Sequence, residues 1–235
     1  MKQVELNILF EDNDIIVCEK PSGIPSQSDK TGDYDMVNRL KNYLFEKDPK
    51  KGEPYIGLIH RLDRPVGGIM VFAKTPLAAK RLSESVRGND MKKRYLTVLN
   101  YDGTKELSNE PKQLVDYLVK DARTNCSRIT SQNDKNGKRA ELFYQIKEVK
   151  EGCSLVEVEL MTGRHHQIRL QMATHLGGIW GDTKYNPMFQ DKVGFSRMGL
   201  YAYQLEFTHP ITKRKVNFTL LPEGEPFHLF TLKNK

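Results

Sequence analysis

Short apolar runs broken by turn residues recur along the whole chain, and this rhythm limits what it can fold into. Ile15-Ile16-Val17-Cys18 is β-prone and suits a buried strand. Val4 to Lys20 reads as two short strands around the turn Glu11-Asp12-Asn13-Asp14, followed by a break at Pro21 to Pro25 and a polar loop through Asp33. Ile56 to Ile59 and Ile69 to Ala73 are apolar runs flanking a polar loop, and Lys93 to Leu99 is a further strand. Leu114 to Lys120 and Ser127 to Ser131 read as short strands in a connecting region. Glu141 to Val149 and Ser154 to Met161 alternate as a hairpin through Glu151-Gly152, and Gly199 to Phe207 with Val216 to Leu220 as a closing one. Helices fall between these strands. Asp35 caps one over Met36 to Glu46, Pro76 opens one over Leu77 to Arg87 that Gly88 ends, and His165 to His175 closes at Gly177-Gly178. Intermixed helices and hairpins predict an α+β fold with a mixed, mostly antiparallel sheet flanked by helices and loops, not a doubly wound parallel one. No repeat or linker divides the chain, so one domain over residues 1–235 is expected.

Hydrophobic residues make up 38% of the 235 positions, enough for a real core. No segment has the apolar length to span a bilayer, and the N-terminus lacks a secretory pattern. Cys18, Cys126 and Cys153 stand far apart, with neither zinc spacing nor a disulfide framework. They read as small apolar residues in a reducing, cytoplasmic compartment. The net charge is +7, with compact clusters at Lys92-Lys93-Arg94, Lys213-Arg214-Lys215 and Lys47 to Lys51. Such clusters attract phosphate backbones, although a solvated surface accounts for any one of them equally well.

Three constellations carry chemistry. His60-Arg61-Leu62-Asp63-Arg64 sets two arginines and a histidine around one carboxylate, before Pro65 and the turn at Gly67-Gly68. Nearby positive charge favours the ionised aspartate, which can act as nucleophile, base or ion-pair partner. On charge alone a structural salt bridge is the plainer reading. Gly163-Arg164-His165-His166-Gln167-Ile168-Arg169 leads into a helix whose first N–H groups would face any phosphate. Its adjacent histidines lack the acidic or cysteine partners of a metal site, so no metal is expected. In Lys93-Arg94-Tyr95 a tyrosine among cations can stack on a base, or simply sit half-buried in a strand.

Together these motifs resemble the RluA-type family of pseudouridine synthases. His60 to Arg64 followed by Gly67-Gly68 and a strand ending Phe72-Ala73-Lys74 is similar to its catalytic motif. Lys20-Pro21-Ser22-Gly23, Lys93-Arg94-Tyr95, Thr162 to Arg169 with Gly181-Asp182 and Tyr185, and Leu200-Tyr201-Ala202 through His209-Pro210 follow the family in order along nearly the whole chain. The resemblance implies a single pseudouridine synthase catalytic domain, residues 1–235, without the N-terminal S4-type module of many relatives. It implies isomerisation of uridine in ribosomal or transfer RNA, with no cofactor and no metal. Carried over to this sequence, Asp63 is the catalytic carboxylate, Tyr95 stacks on the target uracil and Arg169 pairs with Asp63. Arg61, Arg64, Lys93, Arg164, His166 and Gln167 are expected to bind RNA or support the site. Pro65-Val66-Gly67-Gly68 stands where the family more often has Asp-Thr-Ser-Gly or similar, and His165 replaces a threonine, so no chemistry is assigned to hydroxyls there. The partner expected is RNA, with no membrane, and a monomer.

Two other classes weigh against this reading. A non-catalytic RNA-binding protein has no need of a carboxylate in a cationic site. A glycoside hydrolase wants a second catalytic carboxylate, and none stands near His165-His166.

Overall fold

The computed structural model describes residues 6–28, 32–104, 107, 110–190 and 197–232. Val4 and Glu5 of the first expected strand, and residues 29–31 of the polar loop, lie outside the described residues. The chain forms two compact units. One comprises the chain up to Met91 with Gln204–Leu220; the other comprises Lys92–Tyr203 with the chain from Leu221 onwards.

In the first unit, β1 (Ile8–Glu11) and β2 (Ile15–Lys20) form an antiparallel hairpin. Asp12 closes its turn by accepting from the N–H groups of Asp14 and Ile15, both at 2.8 Å. β2 also pairs with β4 (Gly67–Ala73), and β3 (Gly57–Leu58) pairs with the end of β4, both antiparallel. β4 is buried on both faces, as its unbroken apolar run predicts. Ile15 and Val17 of β2 and Ile69, Val71 and Ala73 of β4 alternate onto one face. There they pack on Ala78 and Leu82 of α2 (Pro76–Arg87), with Leu205 and Phe207. α1 (Met36–Lys47) begins where expected, with the Asp35 carboxylate accepting from Asn38 N–H at 3.0 Å. Thr75 caps α2 in the same way, ahead of Pro76 at the first helical position.

In the second unit, β5 (Lys92–Leu99), β9 (Cys153–Leu160), β8 (Lys138–Lys150), β6 (Lys112–Asp121) and β7 (Cys126–Thr130) are antiparallel neighbours in that order. The β8–β9 turn falls at Glu151 and Gly152, both with positive φ (53° and 71°), the tight hairpin geometry the sequence predicts. The expectation of a connecting region at residues 114–131 is corrected. β6 is ten residues long and pairs with β8 from Lys112 to Leu118, so β6 and β7 belong to the sheet. Both segments are strands as expected; what no local signal carries is their place in the sheet. α3 is Gln167–His175, starting later than the expected His165 because His166 takes a left-handed φ of 53°. α3 lays Leu170 on Leu118 and Ala140, while Gln171 and His175 both donate to Asp116 of β6. β10 (Leu200–Thr208) and β11 (Lys215–Thr219) form the closing antiparallel hairpin.

Candidate active site

Asp63 stands in the irregular stretch between β3 and β4. Its main-chain carbonyl accepts from Val66 N–H at 3.0 Å, closing a tight turn across Arg64-Pro65. A second loop, the Pro21 to Ser26 segment after β2, holds that turn from beside it. Gly23 N–H donates to Arg64 O at 2.8 Å, and Ser22 Oγ to Pro65 O at 2.6 Å. Ser26 Oγ donates to Leu62 O at 2.9 Å and accepts from Leu62 N–H at 3.1 Å, so one hydroxyl acts as a strand partner for the residue before Asp63. Arg64 reaches back to Gly23 O through Nε and to Asp33 through Nη2. His60 Nε2 accepts from Val71 N–H at 3.2 Å, anchoring the loop to β4.

Lys20 lies at the centre of this framework. It ends β2 opposite Gly68 of β4, where a φ of +129° open to glycine turns the chain from the loop into the strand. The Lys20 side chain has no solvent exposure. Its ammonium donates to Pro21 O, Ile24 O and Arg64 O at 3.0, 2.7 and 3.1 Å. Burial pushes its pKa down to about 7, with the nearby Asp63 carboxylate opposing the shift. Three N–H bonds and one neighbouring anion are the compensation a buried cation requires.

Tyr95 lies on β5 in the other unit and is 6% exposed. It pairs with Val158, which pairs in turn with Tyr144, so the three share one sheet face. Asp116 pairs with Ala140 on that face and binds α3, so Tyr95 stands on the side of the sheet that α3 covers. Lys93 shares this side, and burial lowers its pKa. Arg94 points to the opposite face, onto Glu159 at 3.0 Å.

Arg169 is in α3, with its side chain 4% exposed. Nε and Nη2 donate to the two oxygens of Asp182, each at 2.7 Å, and the Tyr185 ring lies 5.2 Å from the guanidinium carbon. His166 is buried and stacks on His165 at 3.8 Å, with its Nδ1 2.9 Å from Tyr185 Oη. Burial first, then the charges of Arg169, His165, Lys184 and Lys120, drive its pKa down to about 2, so it is a neutral imidazole. Gln167 Oε1 accepts from Thr162 Oγ1 and Arg164 N–H, and its amide donates to Glu141 O, so its polar atoms brace the turn into α3. Arg164 is exposed, with Nε on Arg139 O at 2.8 Å. Arg61 is exposed as well.

These elements and motifs match a family model. The model for RNA pseudouridylate synthase aligns with residues 14–174, most of the chain. The chain belongs to the RNA pseudouridylate synthase family. Family members isomerise uridine in RNA, and RNA is the substrate this membership brings. Ribosomal large subunit pseudouridine synthase D of Zymomonas mobilis is 30% identical over 226 residues, covering 92% of this chain and 69% of that protein. The Vibrio cholerae enzyme of the same name is 31% identical, covering 92% and 67%. The chain thus spans about two thirds of the length of these ribosomal relatives. A tRNA pseudouridine synthase C of Haemophilus ducreyi is 30% identical, covering 97% of this chain and 95% of that one. The fold is similar to human RNA pseudouridylate synthase domain containing 4, with a TM-score of 0.74, 22% identity, and coverage of 92% and 88%.

Sequence reasoning gave no role to Lys20, Ser26, Asp182 or Tyr185, although three of them lie in quoted family motifs. A lysine at the end of a buried strand, just before Pro21, is the one local signal for Lys20. Nothing local marks Asp182 as the partner of an arginine 13 residues earlier. Among the described residues no group of three or more His, Cys, Asp or Glu could hold a metal ion, and no helix is long and apolar enough to cross a membrane.

Proposed function

We propose that this enzyme converts uridine to pseudouridine in ribosomal or transfer RNA, with Asp63 as the catalytic carboxylate. The C1′–N1 bond breaks, the uracil turns, and C1′ joins C5. C5 loses a proton and N1 gains one, so mass is unchanged. Attack by the carboxylate at C1′ and removal of the C2′ proton both require an oriented acid. The observation that supports Asp63 in this role is the clamp on its turn: five hydrogen bonds between Lys20, Ser22, Gly23 and Ser26 and the main chain of residues 62, 64 and 65. A side chain on so constrained a backbone is preorganised.

In this reading the target nucleotide is flipped out of its stack, at a cost of a few kcal/mol, and stacking on Tyr95 returns ~1–3 kcal/mol of it. Arg169 serves as the cation that steadies Asp63, an assignment that rests on the sequence motif. Arg61, Arg64, Lys93 and Arg164 meet phosphates, while His166 and Gln167 support the turn that leads to Arg169. Residues 1–235 act as one catalytic domain, working as a monomer in the cytoplasm.

The test is Asp63→Asn, assayed on total RNA from cells lacking the gene. The Asp63 carbonyl, not its side chain, makes the bond to Val66, so the turn survives the change. Pseudouridine formation is expected to vanish with melting temperature and RNA binding retained. Continued modification rejects Asp63 as the catalyst, and released free uracil would place the enzyme among hydrolases.

A further inference from the structure

The Arg169–Asp182 ion pair is deeply buried, with side chains 4% and 0% exposed. Its two 2.7 Å bonds make a side-on fork, Nε to Oδ2 and Nη2 to Oδ1. A fork of this kind fixes the plane of the guanidinium as well as its position, and turns Nη1 away from the carboxylate. Asp182 is itself held. Its Oδ1 also accepts from the N–H groups of Lys184 and Tyr185, at 2.9 and 3.2 Å. The preceding Gly181 takes a φ of +76°, and a Cβ there would meet Arg197 O at 2.3 Å, so the chain packs tightly on that side. The guanidinium carbon lies over the Tyr185 ring, 5.2 Å from its centroid, and the Tyr185 hydroxyl accepts from Ser127 N–H at 2.6 Å and lies 2.9 Å from His166 Nδ1. The two groups on Arg169, Asp182 at its edge and the Tyr185 ring beside it, are therefore each fixed in turn.

We propose that Asp182 is a positioning residue for the reaction, acting through Arg169 by setting the direction of its guanidinium. This inference rests on the reading of Arg169 as the cation that serves Asp63. A salt bridge that only stabilised the fold would not require a fork, an aromatic ring against the cation and three donors on one carboxylate oxygen. Replacing the carboxylate with an amide keeps the shape but loses one acceptor and the charge, so the guanidinium is free to turn.

The experiment compares Asp182→Asn, Asp182→Glu, Arg169→Met and the double variant Arg169→Met/Asp182→Asn. Initial rates of pseudouridine formation are measured over a range of concentrations of total RNA from cells lacking the gene, normalised to folded protein. Asp182→Asn is expected to lose about 10- to 100-fold in kcat, the range that a misdirected group costs, with little change in apparent KM. The double variant is expected to be no slower than Arg169→Met, because Asp182 has nothing left to act on. Wild-type kcat in Asp182→Asn alongside a slow Arg169→Met overturns the proposal and leaves the reading of Arg169 standing. Wild-type kcat in Arg169→Met overturns that reading, and the proposal with it. If Asp182→Asn does not fold, Asp182→Glu decides. It keeps the charge but displaces the fork, so a lowered kcat supports positioning, and wild-type kcat with a lowered melting temperature overturns it.

Discussion

The Lys20 ammonium donates to the main-chain carbonyl of Arg64 at 3.1 Å, across 44 residues of sequence, and so ties the end of β2 to the turn that carries Asp63. The same nitrogen serves Pro21 O and Ile24 O, matching three N–H bonds to three acceptors. Neutral Lys20 has two N–H bonds, so deprotonation takes the Lys20 donor away from one of these carbonyls.

The pKa of Lys20 falls from 10.5 to about 7 on folding. Between these values the unfolded chain holds a proton that the folded chain has partly released. The contribution of this group to stability therefore rises with pH across that window, and is flat below it, where the full cost of burying the charge is felt. Urea unfolding at several pH values between about 7 and 10 should show wild type gaining on Lys20→Met by at most about 1.4 kcal/mol per pH unit. Parallel curves for the two proteins would show that Lys20 does not titrate there.

Ser26 offers a second handle on the same turn. Its hydroxyl both donates to and accepts from the main chain of Leu62, at a site where Ser26 is 5% and Leu62 6% exposed. Ser26→Ala strips that partner from two buried backbone groups and should cost about 1–3 kcal/mol. Denaturant unfolding measures it, and a loss below about 0.5 kcal/mol would mean that another donor and acceptor take over.

Tyr95 separates stacking from hydrogen bonding. Tyr95→Phe keeps the ring and should turn over RNA within a few-fold of wild type, while Tyr95→Leu should fall by about 5- to 150-fold, the worth of one stacked base. Equal rates in the two variants would argue against a stacking role.

Much of this architecture is legible locally. The cap at Asp35, the proline opening α2 and the turn at Glu151-Gly152 depend on residues within a few positions of one another, so their chemistry is written in order along the chain. Two boundaries were not legible. The start of α3 shifts because His166 adopts a left-handed conformation, with its ring stacked on His165 and edge-on to Tyr185, which no helix propensity reveals. β6 and β7 join the sheet because β8 offers a matching ladder, a non-local pairing invisible in a charged stretch.

The sequence by itself determined the alternation of strands and helices and the family motifs, from which the acid, the aromatic and the arginine proposed to carry the chemistry are drawn. Tertiary structure alone decided what holds them: the buried Lys20 and the Ser26 hydroxyl on the Asp63 turn, and Asp182 and Tyr185 on Arg169. The reason is physical. A cation or a carboxylate reads as surface until folding removes its water, and only then must it find partners, which the chain supplies from residues distant in sequence.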